Sequence, residues 1–61
     1  MFTIREELEL KYGPIPDKQF VLACDMATMD LTFHQNGIFT VKEFLEVTDR
    51  SFQIIQIRKI L

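Results

Sequence analysis

No helix can run through Gly13-Pro14-Ile15-Pro16. Proline lacks the backbone N–H that a helix interior needs, and it biases the residue before it away from helical angles. A chain of 61 residues is thereby cut near its start, and a stiff turn sets the angle between the two pieces. Before the cut, Thr3 followed three positions later by Glu6 reads as a capping box, and Ile4, Leu8 and Tyr12 recur at i, i+4 and i+8. With Gly13-Pro14 as the stop, this predicts a first helix over about 4–12.

After the cut, Phe20, Cys24, Ala27 and Leu31 form one apolar stripe of a second helix starting at about Asp17, with Lys18, Asp25 and Asp30 mostly off it. A break is expected near Thr28 to Asp30. Asp30 would then cap a short third helix closing at Asn36-Gly37, the glycine taking the left-handed position after the helix. Thr40 and Glu43 form a second capping box, opening a helix that carries Val41, Phe44, Leu45 and Val47 inward. Thr48-Asp49 offers a further N-cap for Arg50 to Leu61. The expected fold is all-α: one domain over 1–61, a compact bundle of four to five short helices. The alternative is α+β, because Asn36-Gly37 is also a strong hairpin signal and Leu31 to Gln35 could pair with Ile38 to Val41.

Scarce residue types exclude most chemistry. A chain near 60 residues buries only about 60% of its unfolded surface, and a single cysteine, Cys24, allows neither an internal disulfide nor a multi-cysteine zinc site. Stability must come from packing or from a partner. Gly13 and Gly37 are too far apart for a phosphate-binding loop and too few for a dinucleotide fingerprint. One histidine, His34, rules out the two-histidine zinc helix, and Arg50-Ser51-Phe52 is unlike a nucleophile elbow. His34 shows no acid or nucleophile at helical spacing, and Cys24 reads as a small core residue. No catalytic residue, metal, cofactor or small-molecule ligand is expected, and the protein reads as a non-enzyme.

Glu6, Glu7 and Glu9 occupy the stretch where an export signal would be basic and then apolar. The longest apolar run, Phe20 to Cys24, is far short of the roughly 20 residues that span a bilayer. A cytoplasmic location is the expectation. Glu7 and Lys11 form an expected i,i+4 pair, and Met26 and Met29 read mainly as fillers of core gaps.

The C-terminal stretch stands out. From Phe52 to Leu61 apolar residues surround the helical wheel and leave no broad polar face, so this end is either central to the core or meets a partner. The candidate partner-binding residues are Arg50, Ile54, Ile57, Arg58, Lys59 and Leu61. Arg58 and Lys59 also suit the last turn of a helix, where cations complement the dipole. Net charge is -2, with -3 over residues 1–30 and +1 over 31–61, a thin basic patch for a nucleic-acid binder.

The order Gly37-Ile38, Thr40-Val41, Phe44-Leu45, Thr48-Asp49 resembles the SAM-domain-like group. That group includes SAM interaction domains and the helix–hairpin–helix domain of the bacterial RNA polymerase alpha subunit. The resemblance spans residues 31–61 and implies a bundle of short helices that recognises something; it transfers no catalytic residue. After Ile55 the chain has no glycine, so the backbone device that grips DNA phosphates in helix–hairpin–helix domains is missing. Arg58-Lys59-Ile60-Leu61 is similar to a SAM-domain ending, but neither the glycine-containing connector nor the long last helix of those domains is expected. The expected function is a protein-interaction module that docks on a larger protein or on itself through Arg50 to Leu61, such as a small accessory or inhibitor protein encoded by a virus or prophage. A DNA-binding or transcription-associated domain is the alternative.

Overall fold

Thr3 opens the first helix by a formed capping box. Its hydroxyl accepts from the Glu6 N–H at 3.1 Å, and the Glu6 carboxylate accepts from the Thr3 N–H at 3.0 Å. The computed structural model describes residues 2–60, with side chains through residue 57, and contains three helices: α1 (Ile4–Tyr12), α2 (Asp17–Gln35) and α3 (Val41–Ile60). Gly13 ends α1 at φ 87°, its N–H donating to the Glu9 carbonyl at 2.8 Å. No strand occurs among the described residues.

The bundle therefore has three helices rather than four to five. The expected break at Thr28 to Asp30 is absent because nothing there stops a helix. The Thr28 and Thr32 hydroxyls donate back to the carbonyls of Cys24 and Thr28, at 2.8 and 2.7 Å, so both are satisfied without leaving helical geometry. Asp30 caps nothing; it pairs with His34 one turn on, at 3.2 Å. The second expected break, at Thr48-Asp49, is likewise absent. Thr48 is buried in the middle of α3 and Asp49 reaches across to α1.

Asn36-Gly37 ends a helix and does not turn a hairpin. Asn36 takes the left-handed conformation (φ 54°, ψ 31°) with its N–H directed at the Leu31 carbonyl, and Gly37 follows at φ 77°. A hairpin turn and a helix C-cap both want positive φ, which is why the dipeptide signals either. Thr40 then opens α3 through its capping box with Glu43, at 3.1 and 3.2 Å. Val41 does not point inward; it is 75% exposed, since the first turn of α3 extends beyond the packed part of α2.

Two clusters make the core. Near the inter-helix loop, Ala27, Leu31 and Val47 pack with Phe44; at the other end, Leu8, Ile15, Ala23 and Phe52 bring together α1, the linker, α2 and α3. Cys24 is only half-buried on the edge of its stripe. The linker is clamped as well as stiff. Ile15 has the only N–H in Pro14-Ile15-Pro16; it donates to the Glu9 carboxylate at 3.3 Å, while the Ile15 carbonyl accepts from the Arg5 guanidinium at 2.8 Å. The extents of the fold are 32 × 31 × 15 Å, a plate little more than two helix backbones thick.

One buried polar atom lacks a partner among the described residues, the Thr48 hydroxyl, in a residue with no exposed surface. Leaving a hydroxyl dry costs free energy that an isosteric methyl does not. Thr48→Val is expected to raise unfolding stability by about 1–2 kcal/mol, read as a higher urea midpoint with an unchanged slope.

Candidate docking cleft at the end of α3

The last turn of α1, the prolines of the linker and the C-terminal half of α3 surround a cleft of about 520 Å³. Its apolar walls are Pro14, Pro16, Phe52 and Ile57, and its polar edges are Tyr12 and three glutamines. Gln56 Nε2 donates to Gln19 Oε1 at 3.2 Å, closing the gap between α2 and α3. Gln53 Nε2 donates to the Tyr12 hydroxyl at 2.8 Å and to Asp49 Oδ1 at 3.3 Å.

Asp49 anchors this edge. It accepts from the Tyr12 hydroxyl and from Lys11 Nζ, the latter at 2.8 Å, and the Tyr12 ring lies 5.0 Å from that of Phe52. Lys11 thus pairs across the fold with Asp49 and not with Glu7. Partial burial pushes the Asp49 carboxyl upward, but hydrogen bonds from Lys11 and Tyr12, the Lys11 charge and the Gln53 amide outweigh it and hold the carboxyl below its usual range. The Lys11 ammonium is held above its usual value by its hydrogen bonds to Asp49 and Tyr12.

A carboxyl with a lowered folded-state pKa contributes stability above its unfolded value near 3.9, and that contribution is lost as pH falls through the folded value. A raised lysine contributes below about 10.4 and loses its contribution as pH rises through the folded value. Asp49→Asn is expected to cost about 1 kcal/mol at pH 7, a melting shift of about 4–8 °C for a domain this small. The difference should shrink as pH falls through the folded-state value, where the wild-type carboxyl takes up its proton. Thermal melts by circular dichroism at pH 7 and at successively lower pH check both statements.

Arg50, Ile54 and Ile57, at i, i+4 and i+7, fall within one strip of α3 and are all exposed, Ile57 by 58% at the rim of the cleft. The C-terminal segment is thus divided: Phe52 is core, Ile55 packs against it, and Ile54 and Ile57 face outward. Arg58 and Lys59 continue α3, but their side chains, and all of Leu61, lie outside the described residues. Sequence reasoning missed Tyr12, Gln19, Gln53 and Gln56 as parts of one edge. Only the i,i+3 spacing of Gln53 and Gln56 hinted at it, because the edge is assembled from three elements.

The remaining reactive groups are His34 and Cys24, both on α2. His34 has an acid partner one turn away in Asp30, which the sequence reading overlooked, yet the histidine side chain is 78% exposed and no nucleophile joins the pair among its hydrogen bonds. Burial pushes the Cys24 thiol upward, and the negative charge of Asp25 adds to this, so the thiol stays protonated at neutral pH. No group of three or more metal-binding side chains occurs among the described residues, and no helix there is long and apolar enough to cross a membrane. No protein-family model, curated protein or solved structure matches the chain.

Proposed function

We propose that this chain is a non-enzymatic protein-interaction module acting in the cytoplasm. It works as an accessory or inhibitor protein and docks on a larger protein through α3. The exposed isoleucines Ile54 and Ile57 beside the glutamine- and proline-lined cleft carry this reading. Isoleucine left outside a fold this small gains from being covered. Each glutamine amide offers both a donor and an acceptor, suited to the backbone of a bound segment, and the proline and tyrosine surfaces suit its apolar side chains. Arg50, Arg58, Lys59 and Leu61 belong to the proposed contact on the sequence reading alone. The SAM-domain-like resemblance of residues 31–61 is compatible with a recognition role, but the reading rests on surface chemistry.

Affinity capture from source-cell lysate, with and without nuclease, tests it. One dominant protein is expected to survive nuclease and to be lost at least tenfold with Ile57→Glu, while the helical circular dichroism signal of the variant stays unchanged. Capture abolished by nuclease would replace this reading with the nucleic-acid alternative. Capture indifferent to Ile57→Glu would remove α3 from the contact.

A further inference from the structure

The outer side of α2 carries a second apolar stripe. Leu22, Met26, Met29 and Phe33 follow one another at spacings of four, three and four, centred roughly 135° around the helix from the core stripe. Phe33 is 80% exposed and Met29 63%; Met29 is no filler of a core gap. A helix that is apolar on two sides lacks a cover on one of them.

The same surface holds a receptor for its own protrusion. One turn from the start of α2, Lys18, Val21, Leu22 and Asp25 line an apolar depression of about 380 Å³, with Asp17 at its end. Positions i, i+3, i+4 and i+7 are the four corners of a hole that accepts one side chain from a facing helix. The exposed large side chain at a matching distance on this surface is Phe33.

We infer that a second copy of this chain covers the stripe, the two α2 helices packing antiparallel about a twofold axis. A twofold interface must be complementary to itself. With the axis between Ala27 and Thr28, Phe33 of each copy enters the depression at Val21 and Leu22 of the other. Met29 enters the next hole, between Leu22 and Met26, by the same register. The flexible thioethers sit at the centre, where they adapt to a symmetric contact. On the flank, Asp25 faces Thr32 of the partner subunit and Lys18 faces Asn36 of the partner subunit, so no like charges are opposed.

A specific pairing removes about 1,200 Å² or more in all, roughly 600 Å² from each copy. The chain exposes 4,726 Å², about 600 Å² above a compact monomer of 7.2 kDa, and the exposed Val21, Leu22, Met29 and Phe33 of this face contribute to that excess together with apolar side chains of the other elements. The pairing uses a different face from the cleft on α3 and does not depend on the function proposed above.

Sedimentation equilibrium over a wide concentration range tests the inference. The wild-type mass is expected to rise from that of one chain to that of two and to stop there. Phe33→Glu should weaken the dimer about a hundredfold, since each substitution acts at two sites, with unchanged helicity because Phe33 supports no core contact. Ile57→Glu should leave the mass unchanged, which separates this surface from the docking cleft. Orientation is read in a Cys24→Ser background: mixed Met26→Cys and Met29→Cys chains should form the 26–29 disulfide faster than either self-pair. A single-chain mass at every concentration, a dimer insensitive to Phe33→Glu, or preferred 26–26 and 29–29 pairing would each overturn it.

Discussion

Phe52→Ala is expected to leave the protein largely unfolded at room temperature. Phe52 is 2% exposed and packs at the one place where all parts of the chain meet: Leu8 from α1, Ile15 from the linker and Ala23 from α2. Truncating a core phenylalanine costs about 3–5 kcal/mol, from lost transfer free energy and from the cavity left behind. A single core in a chain of this size rarely supplies more than about 3–5 kcal/mol in total. Cost and reserve are of the same size, so the substitution removes most of the folding free energy. The same change at exposed Phe33 removes a ring of the same chemistry and should leave the monomer folded. Urea titration followed at 222 nm distinguishes the two. A cooperative transition for Phe52→Ala with the wild-type midpoint would remove Phe52 from the centre of the core.

Ala27→Leu has the second largest expected effect, from the opposite cause. Ala27 has no exposed surface and packs with Leu31, Val47 and the partly buried Phe44 where α2 and α3 meet. A small side chain there lets the two helices approach closely. A leucine has no void to enter, so it either takes an unfavourable rotamer or drives the helices apart, at about 3 kcal/mol. Separation of α2 from α3 would also loosen Leu31 and Val47, so the loss should appear as broader unfolding as well as a lower midpoint. Val21→Leu, a comparable enlargement on the exposed side of the same helix, should change stability by less than about 0.5 kcal/mol. Equal effects for the two would show that α2 and α3 are not closely packed at Ala27.

The parts of this fold that were legible in the sequence are those set by local chemistry. Helix α1, its capping box at Thr3 and Glu6, its stop at Gly13, the start of α2 at Asp17 and the capping box at Thr40 and Glu43 all follow from neighbours within four residues. The two breaks expected inside α2 and α3 did not, because Thr and Asp are ambiguous signals. A threonine can cap a helix, or donate to the carbonyl four residues back as Thr28 does, or be buried as Thr48 is. Asp49 reads as a cap until its partners on α1, nearly forty residues earlier, are known. The same limit applies to the candidate site. Arg50, Ile54 and Ile57 could be picked out along one helix, whereas the glutamine edge combines Tyr12, Gln19, Gln53 and Gln56 from three elements. Ile15 is the clearest omission. It stands between two prolines, where a turn residue is expected, and is instead 3% exposed and part of the core.

A plate whose shortest extent is 15 Å gives its backbone amides little depth below the surface. Protection against hydrogen exchange must then come from cooperative opening and not from depth. The slowest amides should lie along the seam shared by Ala23, Ala27, Leu31 and Val47, and should exchange only when the whole chain unfolds. Amides of α1, a helix of nine residues held by Leu8, Ile15 and the bonds to Asp49, can exchange through a smaller excursion in which that helix lifts off with the Arg5 clamp. Two units of opening are therefore expected despite the chain's length, with the glutamine and tyrosine edge spanning the boundary between them.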